Sequence, residues 1–502
     1  MQTTRLVSFP RNSRAASSGK LRYSLWFLVL VASILGSFAL ITPVIQFTSD
    51  DYLTIATFAV IGVWALAALY LTMYGRPFSL NCTHWVFVLF FLSYAPLIQF
   101  LTQSFPGQAD IGAFGALHLK VNGLIFLWCV FYSVTYQFVS HKRSRQSPPP
   151  LTGDAAKPNY PWLVLFCLAC TAIALATIGP SHLFSRVDSG DLGGDSGEGM
   201  SSPVSLITQT LGRAGPMGAL IILLVTGRRK QFWYSAALVC LAVCALVTNF
   251  PPSVSRFASG TIFIGLGCIL VRRRRITSLW LLLVFWLAFI IAMPFLNLFR
   301  ANSVQDAGVA SYKQQDLQSV VTGGDFDAYM MFVATVSFGQ KPDSITWGRQ
   351  LAGAALFFVP RSLWPDKAYG SGALVVQNTV LSYYNLSEPL PAEGYVNFGA
   401  AGVALFAVAF GWILAALDKK YWKDMALSFQ ARPNLLAITY PLLVGLVMFI
   451  MRGALLQSFA FTMGPVIASW IALNVAYLGS RARSGAGRSP SAATRGTAPL
   501  VR

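Results

Sequence analysis

Charged side chains that could bind and activate a substrate are concentrated in residues 299 to 395, which hold eight of the eighteen acidic residues. The charged motifs of this stretch are GGDFDAY, VPRSLWPDKAYGSG and PAEGYVNFG. Arginine presents a rigid fork of N–H donors that matches phosphate oxygens, so several arginines at one site suit a diphosphate. Glu393 is the last carboxylate of the stretch and is a candidate acid or base. These residue types favour binding of a diphosphate together with proton transfer at a carboxylate.

The same residues also have structural interpretations, which the sequence leaves open. Arg256, Arg300 and Arg452 lie at the ends of apolar runs, where arginines commonly extend to lipid headgroups. The DFD sequence at Asp325 and Asp327 resembles a metal-binding pattern, but aspartates also cap loops.

Histidine chemistry is excluded from residues 299 to 395, because all four histidines lie elsewhere in the chain. Cys167 and Cys170 form a CxxC inside an apolar run without a second pair, which is typical of packing residues rather than of a metal or redox site. The chain contains no GxxxxGK[ST] motif, which argues against chemistry driven by a nucleotide.

The elements that must position these residues are membrane helices. Of the 502 residues, 55% are hydrophobic and 11% are charged, and the mean hydropathy is +0.58. Apolar runs of roughly 18 or more residues can cross about 30 Å of hydrocarbon as helices. We predict an all-α, polytopic membrane protein with twelve transmembrane helices. The twelve apolar runs are residues 24–46, 52–73, 84–102, 119–140, 161–179, 204–226, 231–249, 257–271, 276–298, 396–417, 434–451 and 455–478.

The distribution of Lys and Arg predicts the orientation, since cytoplasmic loops retain most of these residues. With the N-terminus inside, inner segments hold 26 of the 37 Lys and Arg residues and outer segments hold nine. Both termini are then cytoplasmic, and residues 299 to 395 face the outside. The net charge of +19 lies mostly at the inner leaflet and gives no reason to expect nucleic-acid binding.

The predicted organisation has five parts. They are a basic N-terminus (1–23), nine transmembrane helices (24–298), a large outer loop (299–395), three further helices (396–478) and a disordered basic tail (479–502).

Two apolar segments inside the predicted outer loop, YMMFVATVSFG and WGRQLAGAALFFVP, are too short to cross the bilayer. We predict that they are re-entrant or interfacial pieces, which need protein or a water-filled cavity around their backbone. Arg213 lies deep in the run 204–226, where a charge is costly and marks a functional cavity.

The motif VPRSLWPDKAYGSG, followed about twenty residues later by EGYVNFGAAGVALFAVAFG, resembles the signature of the bacterial oligosaccharide repeat unit polymerases. These are the Wzy-type polymerases of O-antigen and exopolysaccharide. GGDFDAY and NFPPSVSRF are similar to that family too, and the resemblance covers roughly residues 245 to 415. Similar proteins end the first motif in Lys-Pro, where this chain has Lys367 and Ala368.

The resemblance implies a glycosyltransferase of the bacterial inner membrane. Such an enzyme takes an oligosaccharide on undecaprenyl pyrophosphate at the periplasmic face and transfers the growing glycan onto the next lipid-linked repeat unit. The implied partners are these lipid-linked oligosaccharides, membrane lipids, a chain-length regulator and a flippase. The resemblance implies no cofactor and leaves a divalent cation open.

For such a reaction, the common location of these residues at the predicted outer face leads us to expect the following roles. Arg361 would bind and stabilise the leaving pyrophosphate, and Glu393 or Asp327 would receive the proton of the acceptor hydroxyl. Further cations expected at the pyrophosphate are Lys367, Arg256, Arg300, Arg452 and Arg213. The residues expected at the sugars are Trp364, Tyr369, Tyr395, Asn397 and Asp325.

Two other functions remain alternatives. An O-antigen ligase acts on the same lipid and also has a large outer loop, but ligases typically rely on a histidine in that loop. A flippase or transporter of lipid-linked oligosaccharides is built from repeated halves with short loops, whereas the two halves of this chain are unlike.

Overall fold

The computed structural model describes residues 13–43, 47–76, 78–107, 115, 117–141, 158–184, 203–226, 232–251, 253–254, 256–274, 317–379, 381, 387–425 and 433–478. Within these ranges the regular secondary structure is helical, without β-strands. The predicted span 276–298, Arg300, and most of the predicted N-terminal segment and C-terminal tail lie outside the described residues.

The helices are numbered here in chain order. They are α1 (Ser13–Ser37), α2 (Ser49–Gly75), α3 (Leu80–Leu101), α4 (Leu117–His141), α5 (Tyr160–Ile178), α6 (Pro180–Phe184), α7 (Pro203–Thr226), α8 (Phe232–Thr248), α9 (Arg256–Arg274), α10 (Leu317–Val321), α11 (Ala328–Phe338), α12 (Arg349–Ala355), α13 (Ser371–Gln377), α14 (Leu390–Met425), α15 (Leu435–Arg452) and α16 (Leu455–Ala476).

Eight of these helices, α1 to α5 and α14 to α16, are long and apolar enough to cross a membrane. The prediction of an all-α, multi-pass membrane protein is confirmed. Helices α7, α8 and α9 coincide with three more predicted spans and contain shorter apolar segments, Thr210–Thr226, Phe232–Thr248 and Ser259–Ile269. The total of twelve transmembrane helices stays a prediction.

The buried apolar side chains form two clusters, and α15 packs into both. The first cluster is built mainly from α2, α3, α4, α11 and α14, and the second mainly from α5, α7, α8 and α16. From α15, Tyr440 and Val444 enter the first cluster, while Leu442 and Leu446 enter the second. Helix α15 therefore joins the two parts of the bundle.

Helix α14 is anchored near its C-terminal end by Asp418, which is fully buried. The Asp418 carboxylate accepts hydrogen bonds from Tyr136 Oη at 2.6 Å, from Tyr440 Oη, and from the backbone N–H of Leu80 at 2.9 Å. These partners belong to α4, α15 and the N-terminus of α3. One carboxylate thus fixes the position of α14 against three other helices.

The N-terminal part of α14 differs from the predicted span 396–417 in two ways. The helix begins six residues earlier, and its backbone is broken inside. Phe398 and Gly399 have non-helical backbone angles, and Gly399 has a φ of 63°, which favours glycine. Beyond the break, a Cβ atom added to Gly402 would overlap the carbonyl oxygen of Gly394. These glycines of EGYVNFGAAG let the two parts of α14 approach closely. Glu393 therefore lies inside the short first part of the helix.

Helix α11 is the first of the two short apolar segments predicted in the long loop. Ten of its eleven residues are buried, which covers its backbone with protein as the short length requires. The second segment contains the seven-residue helix α12, flanked by the exposed side chains of Trp347 and Phe358.

Candidate functional site

Glu393 lies in the first turn of α14 and is only 1% exposed. Its Oε1 atom accepts hydrogen bonds from Ser371 Oγ, at the start of α13, and from the backbone N–H of Leu455, at the start of α16, at 2.6 Å. The N-terminal end of the α16 dipole favours a negative charge at this place. Among the described residues, no hydrogen-bond donor reaches the second oxygen, Oε2. Glu393 thus has one fixed oxygen and one that can accept a proton.

Asn397 supports Glu393 from one turn further along α14 and is fully buried. Its Nδ2 atom donates to the carbonyl oxygen of Glu393 at 2.8 Å. Its Oδ1 atom accepts from the backbone N–H of Leu351 at 3.2 Å and from Thr346 Oγ1 at 3.3 Å. This side chain ties the first part of α14 to α12 and the residues before it.

A second buried carboxylate, Asp327, is paired with Arg452 at the C-terminus of α15. Arg452 Nη2 lies 2.9 Å from Asp327 Oδ1 and also donates to the carbonyl oxygen of Gly324 at 2.8 Å. Arg452 Nε donates to the carbonyl oxygen of Asp325 at 3.1 Å, and Asp327 Oδ2 accepts from the backbone N–H of Ser387 at 3.0 Å. The contacts of Arg452 with GGDFD therefore connect α15 to the long loop.

Glu388 is a third carboxyl group at this place, and it was not among the predicted site residues. It is fully buried, and its Oε1 atom accepts a hydrogen bond from Thr335 Oγ1 at 2.7 Å. Its Oε2 atom is buried without a partner among the described residues. Burial raises the pKa of Glu388 well above the ordinary range of a glutamate, and the nearby carboxylates of Glu393 and Asp327 raise this pKa further. Glu388 therefore favours the protonated form.

We call Asp327, Glu388 and Glu393 the carboxylate cluster. The backbone supports their proximity, because Glu388 N–H donates to the carbonyl oxygen of Arg452 at 3.1 Å, and Leu455, the partner of Glu393, follows three residues later. Among the described residues, no group of three or more His, Cys, Asp or Glu side chains has an arrangement that could hold a metal ion.

The PRSLWPDK loop carries the two cations predicted at the diphosphate, Arg361 and Lys367. Arg361 Nη1 donates to the carbonyl oxygen of Lys367 at 2.7 Å, Nη2 donates to that of Ala368 at 3.4 Å, and the guanidinium lies 3.9 Å from the Tyr369 ring centre. Arg361 is half-buried and uses two of its four Nη N–H donors on the loop, and its Nε atom is buried without a partner among the described residues. Two Nη N–H donors therefore remain for a ligand.

Lys367 is buried under the same loop, where its Nζ atom donates to the carbonyl oxygens of Phe357 at 2.7 Å and Val359 at 2.9 Å. Burial lowers the pKa of Lys367, and the charge of Arg361 lowers it further. The amino group of Lys367 is thus engaged in holding the loop. Its predicted contact with a diphosphate stays a prediction.

The loop lies against the start of α16, where Glu393 is bound. A Cβ atom added to Gly370 would lie 2.6 Å from Gln457 Nε2, and Ser371, the next residue, donates to Glu393. The structure therefore brings the PRSLWPDK loop next to the carboxylate cluster.

The predicted sugar-contact residues occupy two environments. Tyr369 is 65% exposed and Trp364 is half-buried, so both are accessible on the loop. Tyr395 is buried against Gly339, and Asn397 is buried beside Glu393. Asp325 is half-buried beside Arg452.

The structure places one of the three other predicted arginines, Arg213, away from this site. Arg213 lies in a separate cavity, described below. Helix α9 begins at Arg256, but the described residues do not include the side chain of Arg256 or any part of Arg300.

Comparison with known protein families, with curated protein sequences and with solved structures gives no match to this chain.

Proposed function

We propose that this protein is a membrane glycosyltransferase that joins polyprenyl-diphosphate-linked oligosaccharide repeat units at the periplasmic face of the bacterial inner membrane. The observation that carries the proposal is Glu393, a buried carboxylate at one end of a membrane helix with one oxygen fixed and the other available. Support comes from Arg361, because its loop ends at the serine that holds Glu393. The loop motifs resemble those of repeat unit polymerases.

In the proposed reaction, the oxygen of the acceptor hydroxyl forms a bond to the anomeric carbon of the donor sugar. The bond between that carbon and the diphosphate oxygen breaks, and its electron pair leaves with the diphosphate. The hydroxyl proton moves to Oε2 of Glu393, which acts as the general base. The remaining N–H donors of Arg361 stabilise the negative charge that develops on the diphosphate.

The protonated form of Glu388 has a supporting role in this proposal. A second negative charge beside Glu393 would raise the proton affinity of both groups. Since Glu388 is buried and favours the neutral form, Glu393 can ionise without an ionised neighbour at that position. Asp327 is neutralised in turn by Arg452, so the site keeps one carboxylate for proton transfer.

Glu393→Gln tests the general base, because glutamine keeps the size of the side chain but cannot accept the proton. We expect loss of long glycan chains by about 100-fold or more, with single repeat units retained on the lipid. The matched control is Asp366→Asn, which removes an exposed acid of the same loop and should keep the full ladder. Wild-type chain lengths in Glu393→Gln would refute the assignment and leave Asp327 as the candidate base.

Arg361→Ala tests the diphosphate contact. This variant should be present at the wild-type level in the membrane and should give mainly single repeat units on the lipid, since leaving-group stabilisation is lost. The control is Arg349→Ala, which removes an exposed arginine at the start of α12 whose Nη2 donates to the carbonyl oxygen of Asp366 in the PRSLWPDK loop at 2.9 Å. Equal glycan ladders from the two variants would contradict the role of Arg361. Loss of glycan transfer to the outer core with long lipid-linked chains retained would indicate a ligase instead.

A further inference from the structure

A second cavity, of about 310 Å³, lies within the membrane helices and away from the carboxylate cluster. Helices α7, α9, α15 and α16 form its walls, together with the residues that follow α8. Its volume is at the lower end of ligand pockets in proteins, which hold roughly 300 to 1,000 Å³. We call it the Arg213 cavity.

Arg213 is the only charged residue that lines this cavity within the described part of the chain. Asn249 Nδ2 donates to the backbone carbonyl oxygen of Arg213 at 2.8 Å. This bond fixes the backbone at Arg213 and does not involve the guanidinium. No carboxylate of the described residues forms an ion pair with Arg213. A cation inside a membrane bundle is costly unless it has an anionic or polar partner.

The rest of the lining is mixed in a way that suits an amphipathic molecule. Thr210 and Ser253 add hydroxyl groups near the cation, whereas Leu446, Phe461 and Pro465 form an apolar wall. An inorganic anion would use only the polar part of such a cavity, while a lipid would use both parts.

The Arg213 cavity lies deeper in the helix bundle than the carboxylate cluster. Phe461 lies six residues after Leu455 on α16, and Leu446 lies six residues before Arg452 on α15. At 1.5 Å per residue, both helices place the cavity wall about 9 Å further into the bundle than the contacts of the cluster. A phosphate bound to Arg213 would therefore not occupy the place of Glu393.

We infer that the Arg213 cavity binds a lipid whose headgroup carries a phosphate, with the phosphate on the Arg213 guanidinium and the chain along Leu446 and Phe461. The guanidinium matches a phosphate in charge and in the geometry of its donors. The same chemistry is found in an anionic phospholipid and in a polyprenyl phosphate. The inference does not depend on glycosyltransferase activity.

The test measures lipid binding to the purified full-length chain in detergent. Three probes are compared: undecaprenyl phosphate, phosphatidylglycerol and diacylglycerol, the last of which lacks a phosphate. For the wild-type chain, at least one of the phosphate lipids should raise the Tm and bind at least about tenfold more tightly than diacylglycerol, which corresponds to 1.4 kcal/mol. Arg213→Gln should lose this difference, and the control Arg349→Gln should keep it.

The outcomes separate the two sources of phosphate. Binding of undecaprenyl phosphate alone supports an isoprenoid lipid, and binding of phosphatidylglycerol alone supports a bilayer phospholipid. If Arg213 only stabilised the fold, Arg213→Gln would have a lower Tm without lipid but the same lipid-induced shift as the wild type, and the inference would be wrong. If Arg213→Gln does not fold, Ala214→Leu, which fills the cavity and keeps the arginine, must lose lipid binding. The Glu393→Gln result is unaffected by any of these outcomes.

Discussion

Arg452→Gln should destabilise the folded protein by about 3–5 kcal/mol, because it leaves Asp327 buried without its cation. Asp327 is 1% exposed, and its ion pair with Arg452 is 2.9 Å long. Asp327→Asn should have a cost of similar size, since Arg452 then loses its ion pair with Asp327. Arg452 belongs to helix α15 and Asp327 to the long loop, so either substitution weakens the contact between this helix and this loop.

The double variant gives the magnitude of the coupling. With both charges removed, the remaining loss is mainly that of the two hydrogen bonds from Arg452 to the carbonyl oxygens of Gly324 and Asp325. At about 0.5–1.5 kcal/mol each, these bonds amount to about 1–3 kcal/mol. The sum of the single losses should therefore exceed the loss in the double variant by at least about 3 kcal/mol.

The assay is equilibrium unfolding in mixed detergent micelles, followed by fluorescence for the wild type, both single variants and the double variant. The control is Lys420→Gln, which removes an exposed cation of α14 and should change the free energy of unfolding by less than about 0.5 kcal/mol. Additive losses in the double variant would show that the ion pair does not couple α15 to the loop, and the account of Arg452 given above would be wrong.

The remaining predictions concern Glu388 and the break in α14. The pKa of Glu388 is raised in the folded state, so the folded chain keeps this proton at pH values where the unfolded chain, with a glutamate pKa of about 4.3, has lost it. The free energy of unfolding therefore falls as the pH rises above about 4.3, by up to about 1.4 kcal/mol per pH unit. Glu388→Gln cannot ionise and should flatten this decline between pH 5 and 7, whereas equal slopes would exclude a raised pKa. Gly402→Ala should destabilise the protein by about 1–3 kcal/mol because the new Cβ would overlap the carbonyl oxygen of Gly394. Gly123→Ala, where the added Cβ has open space, should be neutral or stabilising by up to about 1 kcal/mol, and similar unfolding midpoints for the two alanine variants would contradict the close approach.

The membrane helices were predictable because a span is defined locally, by a run of apolar residues of sufficient length. Glu393 was selected for a similar reason, as the last carboxylate before such a run, and its role stays a prediction. The start of α14 was placed too late because Leu390 to Tyr395 contain Pro391, Glu393 and Gly394, which end an apolar run but not a helix. The broken backbone at Gly399 depends on contacts between residues on either side of it, which hydropathy does not report.

The contacts of the cations could not be predicted from residue type. Lys367 was expected at a diphosphate, yet its Nζ atom donates to carbonyl oxygens eight and ten residues earlier in its own loop. A lysine that holds a loop and a lysine that binds a ligand look alike in sequence, because the difference lies in the path of the backbone. Glu388 was missed because Thr335 and Asp327 reach it from distant parts of the chain. Its signal in the sequence is an acid five residues before Glu393 in SEPLPAEG.

The order in which the chain is synthesised determines when the carboxylate cluster gains its partners. Asp327 and Glu393 are made early relative to Arg452 and Leu455, which belong to the last two described helices and supply their cation and their N–H donor. Until the ribosome has added these residues and α15 and α16 have entered the membrane, both carboxylates lack these partners. The site is thus completed only after α15 and α16 have been inserted, and a chain truncated before residue 452 retains the loop motifs without the buried arrangement that makes them a site.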